Sequence, residues 1–212
     1  WLLRPHVEGR PLSELCSAIF TGRSPGREAY LDPTRNGSSY RVVKVGDLTN
    51  HGISWDLGER SVAQLKKAPK AETLVHLGDL VTTAAAHHPR YIAAKVDYVD
   101  CFSSEFGERC IPVAEVLVMR PRPEEIDPFV LLLWLRSAEG RESLQSCVTG
   151  QTAHLSAADV AEVVVPHRVL DGPYDEAVAA LRESLRLRRQ SEAAADQAVE
   201  GFARAARPEA TT

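Results

Sequence analysis

From Tyr174 to Arg207 the chain meets no proline and a single glycine, Gly201. This unbroken run constrains the fold more than any other feature. It follows Asp171-Gly172-Pro173, carries Asp175 and Glu176 where a helix dipole favours negative charge, and stops before Pro208. At about 1.5 Å per residue, a helix over this run is about 50 Å long. Its apolar residues Val178, Leu181, Leu185, Ala195, Val199, Phe202 and Ala206 recur at spacings of three and four, and Arg188 and Glu192 take the two seam positions between them. Such a seam is longer than a globule of this size needs. It predicts packing on another long helix through Val178, Leu181, Leu185, Val199 and Phe202, the alternative being a helix folded back on its own globule.

The preceding residues have a different texture: short apolar runs broken by glycine and proline. Two parts are therefore predicted, a globular domain over 1–170 and a helical arm over 171–212. The chain has 212 residues and is 44% hydrophobic, enough to bury a core. Pro11 to Phe20 is too short to assign by period. Strands are predicted over Tyr40–Val45, Tyr91–Val96 and Val113–Met119, the last with a wet face at Glu115. Thr73–Leu77, Gly78-Asp79 and Leu80–Thr83 read as strand, tight turn, strand. Asp127-Pro128 opens a helix running from Phe129 to Ser137, Pro at the first turn losing no hydrogen bond. Ser143–Val148 is helical or extended. Ser156, with Asp159 three positions on, caps a short helix that gives way to the strand-forming run ending at Pro166. The expected class is α/β (α+β), a globular domain of mixed strands and short helices followed by one long C-terminal helix. Trp55 and Trp134 are expected in the core.

Net charge is −4, which argues against a generally basic nucleic-acid coat. The charge is unevenly spread. Residues 1–70 hold 11 Lys and Arg against 7 Asp and Glu, whereas residues 71–212 hold 14 against 22. An anionic partner is therefore expected at the N-terminal third. Cys16, Cys101, Cys110 and Cys147 show no C-x-x-C spacing and read as small core hydrophobes of a reducing, cytoplasmic protein. The run Phe129–Leu135 is far too short to span a bilayer, so no membrane role is expected. Asp127-Pro128-Phe129 lacks the second proline of an adenine-methylase loop, no Gly-rich cofactor loop follows a strand, and Asp79 with Glu115 lacks the E-x-K of a metal nuclease. His87-His88 has no carboxylate or cysteine at ligand spacing. No catalytic residue, metal or cofactor is expected, and a binding module is favoured over an enzyme.

Five segments in order then carry a resemblance: Thr21-Gly22-Arg23-Ser24-Pro25; Tyr40 to Leu48; Leu77-Gly78-Asp79-Leu80-Val81; Asp127 to Leu135; and Thr149-Gly150-Gln151-Thr152 through Leu155 and Asp159-Val160 to Val163-Val164-Val165-Pro166, with the long helix after them. Together they resemble the target-recognition domain of type I restriction–modification specificity subunits and N6-adenine DNA methylases. The resemblance implies a compact domain that grips half of a bipartite DNA target, and a helix that spaces two such units and docks methylase subunits. It implies double-stranded DNA, a methyltransferase (modification) subunit and a second recognition unit as partners, with the methylation chemistry on other chains. A full subunit carries two units, so a half-subunit or a fragment is expected, the start at Trp1 rather than Met agreeing with a piece.

Residue chemistry names the candidate DNA contacts. Thr21, Arg23, Ser24 and Arg27 offer hydroxyls and guanidinium groups to phosphates. Arg35 and Asn36 have the donors that pair with guanine and adenine edges. Lys66, Lys67 and Lys70 suit sequence-independent phosphate contact, and His87, His88 and Arg90 sit on a loop after a strand. Loops 21–38, 64–70 and 84–90 are thus expected to face DNA. Gln151 and His154 read as turn residues. Two alternatives stay open: a recognition domain cut from a single-chain DNA methyltransferase, and a protein-interaction module with a helical dimerisation arm and no DNA role.

Overall fold

A computed structural model describes residues 7–31, 37–150 and 153–206 of the chain. They form two compact units, one up to Pro173 and one from Tyr174. In the first unit, β1 (Gly9–Pro11), α1 (Leu12–Leu15), β2 (Cys16–Thr21) and α2 (Arg27–Leu31) lead into β3 (Ser38–Val43) and β4 (Val62–Leu65). Next come β5 (Leu80–Thr83), β6 (Val96–Tyr98), β7 (Cys110–Pro112) and β8 (Val116–Pro121). Helices α3 (Pro128–Arg136), α4 (Ala138–Gln145) and α5 (Ala157–Ala161), then β9 (Val164–Pro166) and α6 (His167–Leu170), complete it. The second unit is one helix, α7 (Asp175–Ala205). The fold is α+β with a long C-terminal helix.

The strands form three sheets. A four-stranded sheet has the order β2-β8-β5-β6, antiparallel throughout. In a three-stranded sheet β3 lies between β4, antiparallel, and β7, parallel. β1 and β9 pair antiparallel. One core fills the space beside both larger sheets: Val42, Val43, Leu48, Ala63, Val75 and Cys110 are fully buried there with Val81, Val116 and Val118 of the four-stranded sheet. Leu80, Leu117 and Met119, one residue out of phase, are also fully buried. Side chains alternate across a strand, so both faces of this sheet are covered, which is why Val116-Leu117-Val118-Met119 is continuously apolar. Each such aliphatic side chain contributes about 1.5–3 kcal/mol by leaving water.

Three Arg–Asp pairs lock loops onto this core. Arg41, fully buried in the middle of β3, donates to Asp47 Oδ2 at 3.3 Å and to the carbonyls of Asp56 at 3.0 Å, Ser54 at 3.4 Å and Val42. Arg120 grips Asp79 with two bonds of 2.8 and 3.0 Å, and Asp79 Oδ2 accepts from His76 N. Arg136 donates to Asp97 at 3.1 Å, while Asp97 accepts the amides of Thr49, Asn50 and Gly52. Burial lowers the Arg136 guanidinium from its ordinary value, with Asp97 acting against that. These charges are buried with partners, the condition under which burial is tolerable.

Helix starts fall close to the positions their caps predict. Asp127 Oδ1 accepts from Phe129 N at 2.8 Å, and Ser156 Oγ accepts from Asp159 N at 3.0 Å. Other expectations are corrected. Thr73–Leu77 is not a strand: Ala71–Thr73 is a 3₁₀ turn, and the chain then reaches Gly78, whose φ of +89° makes the bend, with its amide on Val99 O. Tyr91–Val96 is not a strand either. Pro89–Tyr91 is a 3₁₀ turn and the strand begins at Val96. Val113–Met119 is broken: Ala114 and Glu115 form a turn between β7 and β8, so Glu115 is a turn residue. Of Ser143–Val148, the first three residues close helix α4, which starts earlier at Ala138, and Ser146–Val148 lie beyond it in a turn.

Candidate nucleic-acid interface

The register of the three-stranded sheet separates the predicted loops into two groups. At one end Val43 pairs with Pro112, and the turn Val113–Glu115 follows. At the other end Ser38 pairs with Leu65, and Lys66 follows. The six residues of β3 hold these ends about 17–20 Å apart at ~3.3 Å per residue.

The loop after β2 is built onto the first end. Gly22 donates its amide to Val116 O at 3.0 Å, and Arg23 N donates to Pro112 O at 3.1 Å. A Cβ on Gly22 would stand 2.0 Å from Pro112 O, so only glycine permits this approach. Ser24 Oγ accepts from Ala114 N at 3.2 Å and donates to Glu115 Oε2 at 3.4 Å. With the backbone so fixed, Thr21, Arg23, Ser24 and Arg27 are exposed, and neither guanidinium meets a carboxylate among the described residues.

The loop after β5 reaches the same turn. Ala84 N donates to Glu115 O at 2.8 Å, Leu155 N donates to Ala84 O at 2.8 Å, and Ala85 bridges to His154. Within this loop His88 caps the Pro89–Tyr91 turn, its ring nitrogen accepting from Arg90 N at 3.2 Å. The Arg90 guanidinium lies 4.7 Å over the Tyr91 ring and bonds its hydroxyl at 2.5 Å. His88 meets the same ring edge-on at 6.1 Å. The exposed cation is thus held by a stacked aromatic rather than by a carboxylate.

Of the predicted residues, Thr21, Arg23, Ser24 and Arg27 share the Glu115 turn with the loop of His87, His88 and Arg90. Lys66, Lys67 and Lys70 are exposed at the opposite sheet end, Lys70 within 3.6 Å of Glu72. Arg35, Asn36 and Gln151 lie outside the described residues. Beside the Glu115 turn, under the β5 loop, is a cleft of about 760 Å³ lined by Val45, Ala85, His87, Tyr91, Glu115 and His154. Sequence reasoning missed this cleft, because its residues come from four segments. It also missed Arg60, exposed and in the left-handed region at φ +57°. Burial raises the Tyr30 phenol, Arg60 opposes the shift and Glu115 adds to it, which sets both charges within reach of Tyr30. Among the described residues no group of three His, Cys, Asp or Glu is placed to hold a metal ion, and no helix is long and apolar enough to cross a membrane.

In the helical unit, Val178 and Leu185 are buried and Leu181 is half-buried, whereas Val199 and Phe202 are exposed. The polar seam positions meet each other, Arg188 Nε standing 3.5 Å from Glu192.

No protein-family model and no curated protein sequence matches the chain. Solved structures do. A chain from work on the complex assembly and conformational transition of the type I restriction–modification system is similar over 95% of this chain and 43% of that one, at 18% identity and a TM-score of 0.53. The HsdS subunit from Thermoanaerobacter tengcongensis is 22% identical over 92% of this chain and 45% of its own, with a TM-score of 0.48. The type I S subunit from M. genitalium is 12% identical over 76% and 35%, with a TM-score of 0.42. This chain spans less than half the length of each. By the first of these comparisons, the chain has the fold of the matched part of a type I restriction–modification chain.

Proposed function

We propose that this chain recognises DNA sequence for a restriction–modification system and performs no chemistry itself. Support comes from one observation above the rest. Within the fold shared with the type I restriction–modification chain, two separate loops meet on the Glu115 turn and present Arg23, Arg27 and Arg90, none of them paired with a carboxylate among the described residues. Cations on a fixed support that no described carboxylate neutralises suit phosphate oxygens, and the adjoining hydroxyls and imidazoles suit base edges. On this reading residues 1–170 are the recognition domain and residues 171–212 the spacer. Val199 and Phe202, 69% and 75% exposed, then serve a partner helix, either of a second recognition unit or of a methyltransferase subunit. A cytoplasmic location follows from that role.

The test is duplex binding by fluorescence anisotropy across a salt series. Wild type should bind, with affinity falling steeply as salt rises. Changing both Arg23→Ala and Arg27→Ala should weaken binding to every sequence and flatten the log–log salt slope by about 2. Wild-type binding that is absent at low salt, with or without a methyltransferase subunit, would overturn the reading.

A further inference from the structure

On the reading above the Arg-bearing loops supply affinity, which leaves the cleft beside the Glu115 turn unused. Its lining is unlike a phosphate site. Val45, Ala85 and the Tyr91 ring make it largely apolar, with the His87 and His154 imidazoles on its wall, and the one carboxylate among its described lining residues, Glu115, would repel a phosphate. Glu115 is nonetheless carefully placed. Its backbone carbonyl holds the β5 loop through Ala84 N, and its carboxylate is turned by Ser24 Oγ from the β2 loop. That bond engages Oε2, and Oε1 accepts no hydrogen bond among the described residues. An exposed carboxylate with one oriented, open oxygen, in a largely apolar cleft that the Tyr91 ring also lines, fits a neutral planar group that donates a hydrogen bond. On DNA that group is the exocyclic amino group of a base, cytosine N4 or adenine N6, since guanine and thymine present acceptors at the same major-groove position.

We propose that Glu115 is a specificity-determining residue: Oε1 accepts a hydrogen bond from the exocyclic amino group of one cytosine or adenine whose edge enters the cleft, with Ser24 as the positioning residue. The proposal rests on the DNA-recognition reading and adds a named base contact to it. Glu115 also supplies selectivity by repulsion, because a carbonyl oxygen in place of the amino group would face the carboxylate.

The experiment selects bound duplexes from a random pool with the intact chain, as wild type, Glu115→Gln and Glu115→Ala. Glu115 is exposed and its structural bond uses the backbone carbonyl, so both variants should keep the wild-type melting temperature. Wild type should prefer cytosine or adenine at one position by roughly tenfold or more. Glu115→Ala should lose that preference and keep the rest of the consensus, and Glu115→Gln should relax it, its amide offering a donor as well as an acceptor. Duplexes with 2-pyrimidinone for cytosine, or purine for adenine, lack the amino group. They should bind wild type about tenfold more weakly than the parent and bind Glu115→Ala equally well. The two analogues distinguish the bases. If wild type selects a consensus that Glu115→Ala leaves unchanged, the Glu115 contact is overturned while the recognition function stands. If wild type selects nothing, both fall.

Discussion

Asp97 shows how much of the loop structure hangs on single side chains. It is fully buried and accepts three backbone amides, from Thr49, Asn50 and Gly52, together with Arg136. Removing one member of a buried pair leaves the other charge uncompensated. Asp97→Ala should therefore cost about 3–5 kcal/mol, read as a lowered urea midpoint at unchanged slope. The cysteines make a second test. Burial pushes the Cys16 and Cys110 thiols up to about 12 from an ordinary value of 9.0. A folded-state pKa above the unfolded one adds stability that is full below pH ~9 and is lost as pH climbs towards ~12. Stability should thus fall through that alkaline window, and Cys16→Ala with Cys110→Ala should flatten the fall. At pH 8 a thiol reagent should label the half-buried Cys101 before either of them. The buried arginines were legible only in part. Arg41 interrupts the apolar run of β3, Tyr40-Arg41-Val42-Val43, and a charge in such a run is a signal of a buried pair, but nothing nearby in sequence names Asp56 or Ser54 as the carbonyls it reaches.

At the scale of elements, legibility followed the range of the interactions. Caps act within three residues, so Asp127 and Ser156 announced their helices, and the long helix announced itself by having no breaker. The strands depend on partners far along the chain. β4, Val62-Ala63-Gln64-Leu65, has little strand character of its own and exists because Ser38 to Arg41 pairs with it. Thr73–Leu77 has strand composition but no ladder; Val75 N instead reaches Cys110 O alone. The β2 loop likewise depends on a contact invisible in sequence, the approach of Gly22 to Pro112. Gly22→Ala should push the loop off its support and cost about 1–3 kcal/mol by overpacking. Because Arg23 and Ser24 move with it, duplex affinity should also fall at temperatures where the variant is fully folded. A variant that melts early but binds as wild type would detach the loop's geometry from recognition.

For the molecule as a whole, the question is whether one duplex engages both ends of the three-stranded sheet. The candidate site was legible as residue types, yet its division was not, because strand register decides which end each loop occupies. Arg23, Arg27 and Arg90 gather at the Pro112 end, whereas Lys66, Lys67 and Lys70 follow Leu65 at the other, about 17–20 Å away. That separation is about five base-pair steps, so a duplex laid along the sheet would meet both groups. Each neutralised phosphate adds about −0.9 to the log–log salt slope. Engagement of both ends then gives a slope of about −5, an affinity loss on the order of a thousandfold between 50 and 200 mM salt, and engagement of the arginine end alone about −3. The net negative charge of residues 71–212 does not alter this count, since exposed charges beyond ~10 Å are screened at such salt. Replacing Lys66, Lys67 and Lys70 together with alanine should bring the slope from about −5 to about −3 while leaving the selected consensus unchanged, because phosphate contacts carry no base information. An unaltered slope would confine the interface to the Pro112 end, and a changed consensus would make the lysine loop a reader of bases instead.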